Sequence, residues 1–177
     1  MPNYNISNTP RSRGVVTTMF NSAATGTGTA VTLDSAAAMV LPLKTANTST
    51  FSFKLQGSID GTFYVDIGSA ITTIVGTSIT TPWQYLRAEV TAIGNTAKTA
   101  SSVTQAGGIA TFNCASHGFL VGEYVTVSGA NEAGYNVSAV ILTKDTNSFT
   151  YAVASGTATP ATGTVVANGN LRIFCAE

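Results

Sequence analysis

His117 is the only histidine in the chain, and together with Cys114 it makes a Cys-x-x-His spacing. That spacing supplies half of a tetrahedral zinc site, but no second Cys/His pair lies nearby to complete the coordination, so no metal is expected. The same histidine is the side chain that acid–base chemistry at neutral pH would have to use. Ser116 precedes it directly, yet neighbours in an extended chain point apart, and no Gly-x-Ser-x-Gly elbow surrounds any serine. Asp60, Asp66 and Ser58 lack the acidic loop pattern of a calcium site, and Asp60-Gly61 reads as a turn former. No Gly-x-x-x-x-Gly-Lys or Gly-x-Gly-x-x-Gly element joins a strand to a helix, so no nucleotide or other cofactor is expected. Trp83, Tyr85, Tyr64 and Tyr4 could form an aromatic platform for sugar rings; the plainer reading is that Trp83 covers the open end of a core. These residues predict no enzyme.

The elements that must position them are short strands. Val15 to Phe20, Thr29 to Leu33, Met39 to Leu43, Thr50 to Leu55, Thr62 to Ile67, Ala70 to Val75 and Tyr85 to Ile93 are rich in β-branched and aromatic residues, and Gly, Ser, Asn and Pro separate them. No segment sustains a helical period, so the fold class is all-β, an antiparallel sandwich or jelly roll. Phe51, Phe53 and Leu55 share one face, and Phe63, Val65 and Ile67 are expected on the matching face of the next strand, across a reversal at Asp60-Gly61.

Leu86, Ala88, Val90 and Ala92 alternate with polar residues, as do Leu171, Ile173 and Cys175, and the two runs are expected to pair. With Thr96 to Ala167 removed, the join reads Ile93-Gly94-Asn95-Asn168-Gly169-Asn170-Leu171, which places Asn-Gly between alternating runs as in a hairpin. The sequence therefore predicts an arm over 1–14, a sandwich over 15–95 plus 168–177, and a small β-barrel or Ig-like module over 96–167 inserted at a hairpin tip. Arg87 and Arg172 are expected on the outer face of the paired strands, near Glu89. Inside the module, five strands are expected: Ile109 to Cys114, Glu123 to Ser128, Asn136 to Thr143, Ser148 to Val153 and Gly163 to Ala167. Thr96 to Gly108 and Ser155 to Thr162 read as the two crossings between domains.

Composition narrows the partners. Of 177 residues, 44% are hydrophobic and 9% charged, with eight basic and eight acidic side chains. A typical charged share is about 25%. With no basic field, neither nucleic acid nor a membrane surface is an expected partner. A neutral surface of small residues offers little repulsion against close neighbours, which suits permanent assembly. The opening MPNYNISNTPRSRG lacks an apolar segment of signal-peptide length, and the apolar run Ala36 to Leu43 is far shorter than the roughly 20 residues of a membrane helix. Cys114 and Cys175 are expected to be free and buried.

Two segments carry a resemblance. The run LQGSIDGTFYVDIG, followed by PWQYLRAEVTAI, resembles a β-sandwich of small structural proteins of tailed bacteriophages. The stretch CASHGFLVGEYVTVSGANEAGYNVSAVILTKDTNSFTYAV resembles a small Ig-like or barrel module of phage head-decoration, tail and fibre proteins. The resemblance implies a virion structural protein, assembled in the host cytoplasm, and brings no catalytic residues. Without heptads or shaft repeats, a compact capsid decoration or cement protein is favoured, bound to the major capsid protein or other virion proteins as a symmetric homo-oligomer, a trimer. The arm from Pro2 to Val16 would lie across a neighbouring subunit, with Tyr4, Ile6, Arg11 and Arg13 as contacts. The alternative is a tail- or fibre-associated adhesin that binds a host-surface glycan or receptor through the inserted module.

Overall fold

A computed structural model describes residues 15–34, 37–80 and 82–177. The strands in chain order are β1 (Val16–Ser22), β2 (Gly26–Thr27), β3 (Val31–Thr32), β4 (Ala37–Lys44), β5 (Thr48–Ser58), β6 (Val65–Ile71), β7 (Thr77–Thr80) and β8 (Tyr85–Asn95). They continue as β9 (Lys98–Thr99), β10 (Ser102–Ala106), β11 (Ile109–Asn113), β12 (Tyr124–Ala130), β13 (Ser138–Lys144), β14 (Ser148–Ala152), β15 (Gly163–Gly169) and β16 (Leu171–Ala176). A single 3₁₀ turn, Ala133–Tyr135, interrupts them among the described residues, and no helix there is long and apolar enough to cross a membrane. The protein is all-β, as the alternating runs predict.

Two antiparallel sheets face each other. One has the order β1-β16-β4-β7; the other has β2-β8-β5-β6, with β3 also on β8. Alternation puts Met19, Val40, Leu171, Ile173 and Cys175 of the first sheet against Phe53, Leu55, Leu86, Ala88 and Val90 of the second, all buried in one cluster. This is how two packed sheets share a core, each strand giving every second residue to it.

A second buried cluster shares no residue with the first. Phe112, Phe119, Val125, Tyr135, Ile141, Phe149 and Tyr151 lie at its centre, and all its fully buried members fall between Val103 and Ala167. Apart from Phe119, in the loop before β12, and Tyr135, in the 3₁₀ turn, the central residues come from a curled sheet of seven strands, ordered β10-β11-β14-β13-β12-β15-β9.

Four expectations are corrected. The runs at Tyr85 and Leu171 do not pair: β8 lies between β5 and the short β2 and β3, whereas β16 lies between β1 and β4. Both have the same alternation, and that pattern fits either sheet of a sandwich; the two strands meet across the core instead of along a ladder. Asn168 and Gly169 form no hairpin tip but continue β15, opposite Thr126 and Val125. Neither predicted crossing holds, since Thr96 to Gly108 contains β9 and β10, and the Ser155 to Thr162 loop returns to β10 through a bond from Ala161 N to Val103 O. Finally, Ile67 faces Leu55, but Phe63 and Val65 are 79% and 52% exposed. The turn consumes Thr62 and Phe63, so β6 starts only at Val65, opposite Gly57, which offers no side chain to pack on.

Candidate functional site

His117 is buried and held by three backbone groups. Its Nδ1 accepts from Phe119 N at 3.1 Å, which leaves the ring proton on Nε2, 3.0 Å from the carbonyls of both Asp145 and Ser148. Phe149 meets the ring edge-on at 5.3 Å. In this tautomer the imidazole ties a loop to the β13–β14 turn, and neither nitrogen is presented to a substrate. Cys114 turns its thiol to the carbonyl of Ala115 at 3.8 Å. Ser116, with a positive φ of 50°, is exposed and places only its carbonyl near Lys98.

The carboxylates are equally committed. Asp60 Oδ1 accepts from Thr62 N, Phe63 N and Ser58 Oγ at 2.8–2.9 Å, and these donors, the two backbone amides foremost, hold its pKa below the ordinary value. Asp66 pairs with Lys54 at 2.6 Å and accepts from Gln56, contacts that lower its pKa and raise that of Lys54. Gln56 also donates to Glu89 and accepts from Arg87, whose guanidinium lies 3.8 Å from the Tyr64 ring centroid. The outer face of β5, β6 and β8 is thus a charged and hydrogen-bonded network. Arg87 reaches Glu89 only through Gln56, and Arg172 is on the other sheet.

Of the aromatic platform, Tyr4 lies outside the described residues. Trp83 is half-buried and packed against the first core, its indole standing where a Cβ at Gly57 would go, and the Tyr85 ring lies beside Gly61. The rings of Trp83, Tyr85 and Tyr64 therefore cover backbone and Arg87 in place of forming one open stacking surface.

Between the two cores the contacts are polar and specific. Thr48 Oγ1 donates to Asn95 Oδ1 at 2.9 Å and lies 3.3 Å from the carbonyl of Gly169, so one buried hydroxyl links the strand that leaves the first core to the one that returns. Asn170, fully buried, donates to Asn21 and Ser138 and accepts from Thr126, each at 2.8 Å. Asn47 donates to the carbonyl of His117 at 2.6 Å, and Glu123 accepts from Ala46 N at 2.7 Å. Beside this joint a cleft of about 170 Å³ is lined by Leu43, Lys44, Glu123, Tyr124 and Arg172. The Arg172 guanidinium stacks between Tyr124 at 4.4 Å and Phe174 at 4.5 Å.

The cleft opens at one end of a surface that the sequence reading missed. On the outer face of β1-β16-β4-β7, Val16, Met39, Leu41 and Leu43 are 37–64% exposed, and Phe174 stands opposite Leu41. Its signal was the run Ala36 to Leu43, since a strand apolar at consecutive positions has both faces apolar. The predicted arm contacts Tyr4, Ile6, Arg11 and Arg13 lie outside the described residues. Among the described residues no group of three or more His, Cys, Asp or Glu side chains is placed to hold a metal. Comparison with family models, with curated proteins and with solved structures gives no match for the chain.

Proposed function

We propose that the chain is a non-enzymatic structural protein of a tailed-bacteriophage virion, a decoration or cement protein that binds the head together with the major capsid protein. The observation that carries this reading is the split in polarity between the two sheets. The outer face of β5-β6-β8 is solvated by Lys54, Asp66, Arg87 and Glu89, whereas the outer face of β1-β16-β4-β7 exposes Val16, Met39, Leu41 and Leu43 beside the uncharged Thr18, Ser78 and Thr80, the kind of patch that marks a contact surface. The low charged share of the chain, 9% with no net charge, and the resemblance of its LQGSIDGTFYVDIG and CASHGFLVGEYV runs to virion modules point the same way. Among the described residues β1 pairs with β16 alone, so that edge and the segment Pro2 to Val16 are the natural place for strand addition to a neighbour.

The test is immunogold labelling, with antibodies to this chain, of particles released by cells that carry its gene. Regular labelling of heads is expected, and deletion of 1–14 should abolish it while the protein still folds. Particles without label would overturn the virion reading, and label confined to fibres would transfer the role to the adhesin alternative.

A further inference from the structure

We infer that the cleft beside the joint between the two cores is a carboxylate-binding site, in which the Arg172 guanidinium receives one planar, singly charged acid group through its two Nη atoms. The inference stands independently of any role in a virion.

Both cores contribute to the cleft. Leu43 and Lys44 reach it from the end of β4, Glu123 and Tyr124 from the entry to β12, and Arg172 from β16. The Tyr124 and Phe174 rings cover the two faces of the guanidinium at 4.4 and 4.5 Å, so they fix its plane and leave its edge as the way in. Arg172 Nε is shut off from solvent and has no acceptor. The two Nη groups also find no acceptor among the described residues, and they stay open to solvent. Among those residues the ion pair is Lys54 with Asp66, on the other sheet, so Arg172 has no carboxylate of its own. Arg87 is the contrast: it too lies over an aromatic ring, yet its Nε donates to Gln56 Oε1 at 2.9 Å. A charged donor this enclosed is nearly always paired in a folded protein, and a stacked arginine with its Nη edge free is built to take an acceptor from outside.

Charge and size select the ligand. Lys44 Nζ is engaged by the carbonyls of Thr48 and Ser49, and the Glu123 carboxylate by the amides of Ala46 and Leu120. Arg172 is thus the uncommitted one of the three charged residues that line the cleft, and two positive charges with one negative leave a single positive charge. One carboxylate neutralises it and matches the Nη pair with two parallel bonds, whereas a phosphate dianion would exceed it and be repelled by Glu123. The cleft measures about 170 Å³, below the roughly 300 Å³ at which pockets for drug-sized ligands begin, so the acid has a short stem, which the half-exposed Leu43 side chain meets.

The test is a titration of the isotope-labelled full chain with sodium propionate at constant ionic strength, followed by NMR. The Arg172 Nε–H signal and the amides of Gly122 and Tyr124 should shift and saturate together in the millimolar range, the strength of a single charge-assisted bidentate contact. Propionamide, which has the shape without the charge, should leave them in place. Arg172→Lys keeps the charge but loses the fork, and should bind at least about ten-fold more weakly. Tyr124→Leu keeps Arg172 but frees its plane, and should weaken binding several-fold; Arg87→Gln removes an equal charge from the other sheet and should bind as the wild type does. Circular dichroism and the melting temperature establish that each variant is folded. A blocked tripeptide with a central glutamate separates the sources: saturation by propionate alone assigns the site to free short acids, and saturation by the peptide as well assigns it to a carboxylate carried on another chain. Shifts that never saturate, that sodium chloride reproduces, or that persist unchanged in Arg172→Lys would overturn the inference. Antibody labelling of particles reads none of these, so the two proposals fail separately.

Discussion

Thr48 and Asn95, forty-seven positions apart, are joined hydroxyl to amide at 2.9 Å where the chain leaves its first core. Thr45 supplies a second hydroxyl 3.1 Å from Thr48, and since the Thr48 proton goes to Asn95, Thr45 is the donor in that pair. Thr48→Val preserves the shape but takes the acceptor from the buried Thr45 hydroxyl and the donor from the half-buried Asn95 Oδ1. A loss of about 1–3 kcal/mol is expected by urea denaturation, with Thr48→Ser recovering most of it.

Gly57 and Trp83 give a fluorescent report on the sandwich. A Cβ at Gly57 would run into the Trp83 indole, so Gly57→Ala must displace the ring or the strand. We expect a loss of about 1–3 kcal/mol and a red shift of the emission, which comes from the single tryptophan.

Asp60 makes the β5–β6 turn pH-dependent. Its folded pKa is depressed, chiefly by the amides of Phe63 and Thr62, so its contribution to stability is complete above the ordinary carboxylate value of 3.8 and is lost as pH falls through the lower folded value. Asp60→Ala should therefore reduce the urea midpoint at pH 7 and flatten its decline below about pH 4 relative to the wild type.

Cys114 and Cys175 are free and buried, and burial, with a smaller effect from Glu177, pushes the Cys175 thiol up to about 11. Thiolate is the reactive form. A disulfide-exchange reagent at pH 8 should modify neither cysteine in the folded protein and both once urea is added, as read by the absorbance of the released thiol.

The strands and their faces were legible because they depend on near neighbours alone. Phe51, Phe53 and Leu55 alternate with polar residues, and all three are buried; Asp60-Gly61 announces a turn, and Gly61 has a φ of +72°. The short strands β9 and β10 were not legible, since Lys98–Thr99 and Ser102–Ala106 have little apolar content and are held by their partners β15 and β11. The apolar outer face was present in the run Ala36 to Leu43, but its breadth depends on Val16 and Phe174, which reach it from strands at opposite ends of the chain.

What the amino-acid sequence determined by itself was the all-β class, the spacing of the turns, and which residues of each strand would be apolar, because a period of two is set by backbone geometry. Only the tertiary structure decided which strands became neighbours. The alternation of β8 would suit either sheet, and so would that of β16; the closing of one core from both faces placed them opposite each other. The same closure turned the second apolar side of β4, with Met39, Leu41 and Leu43, outward.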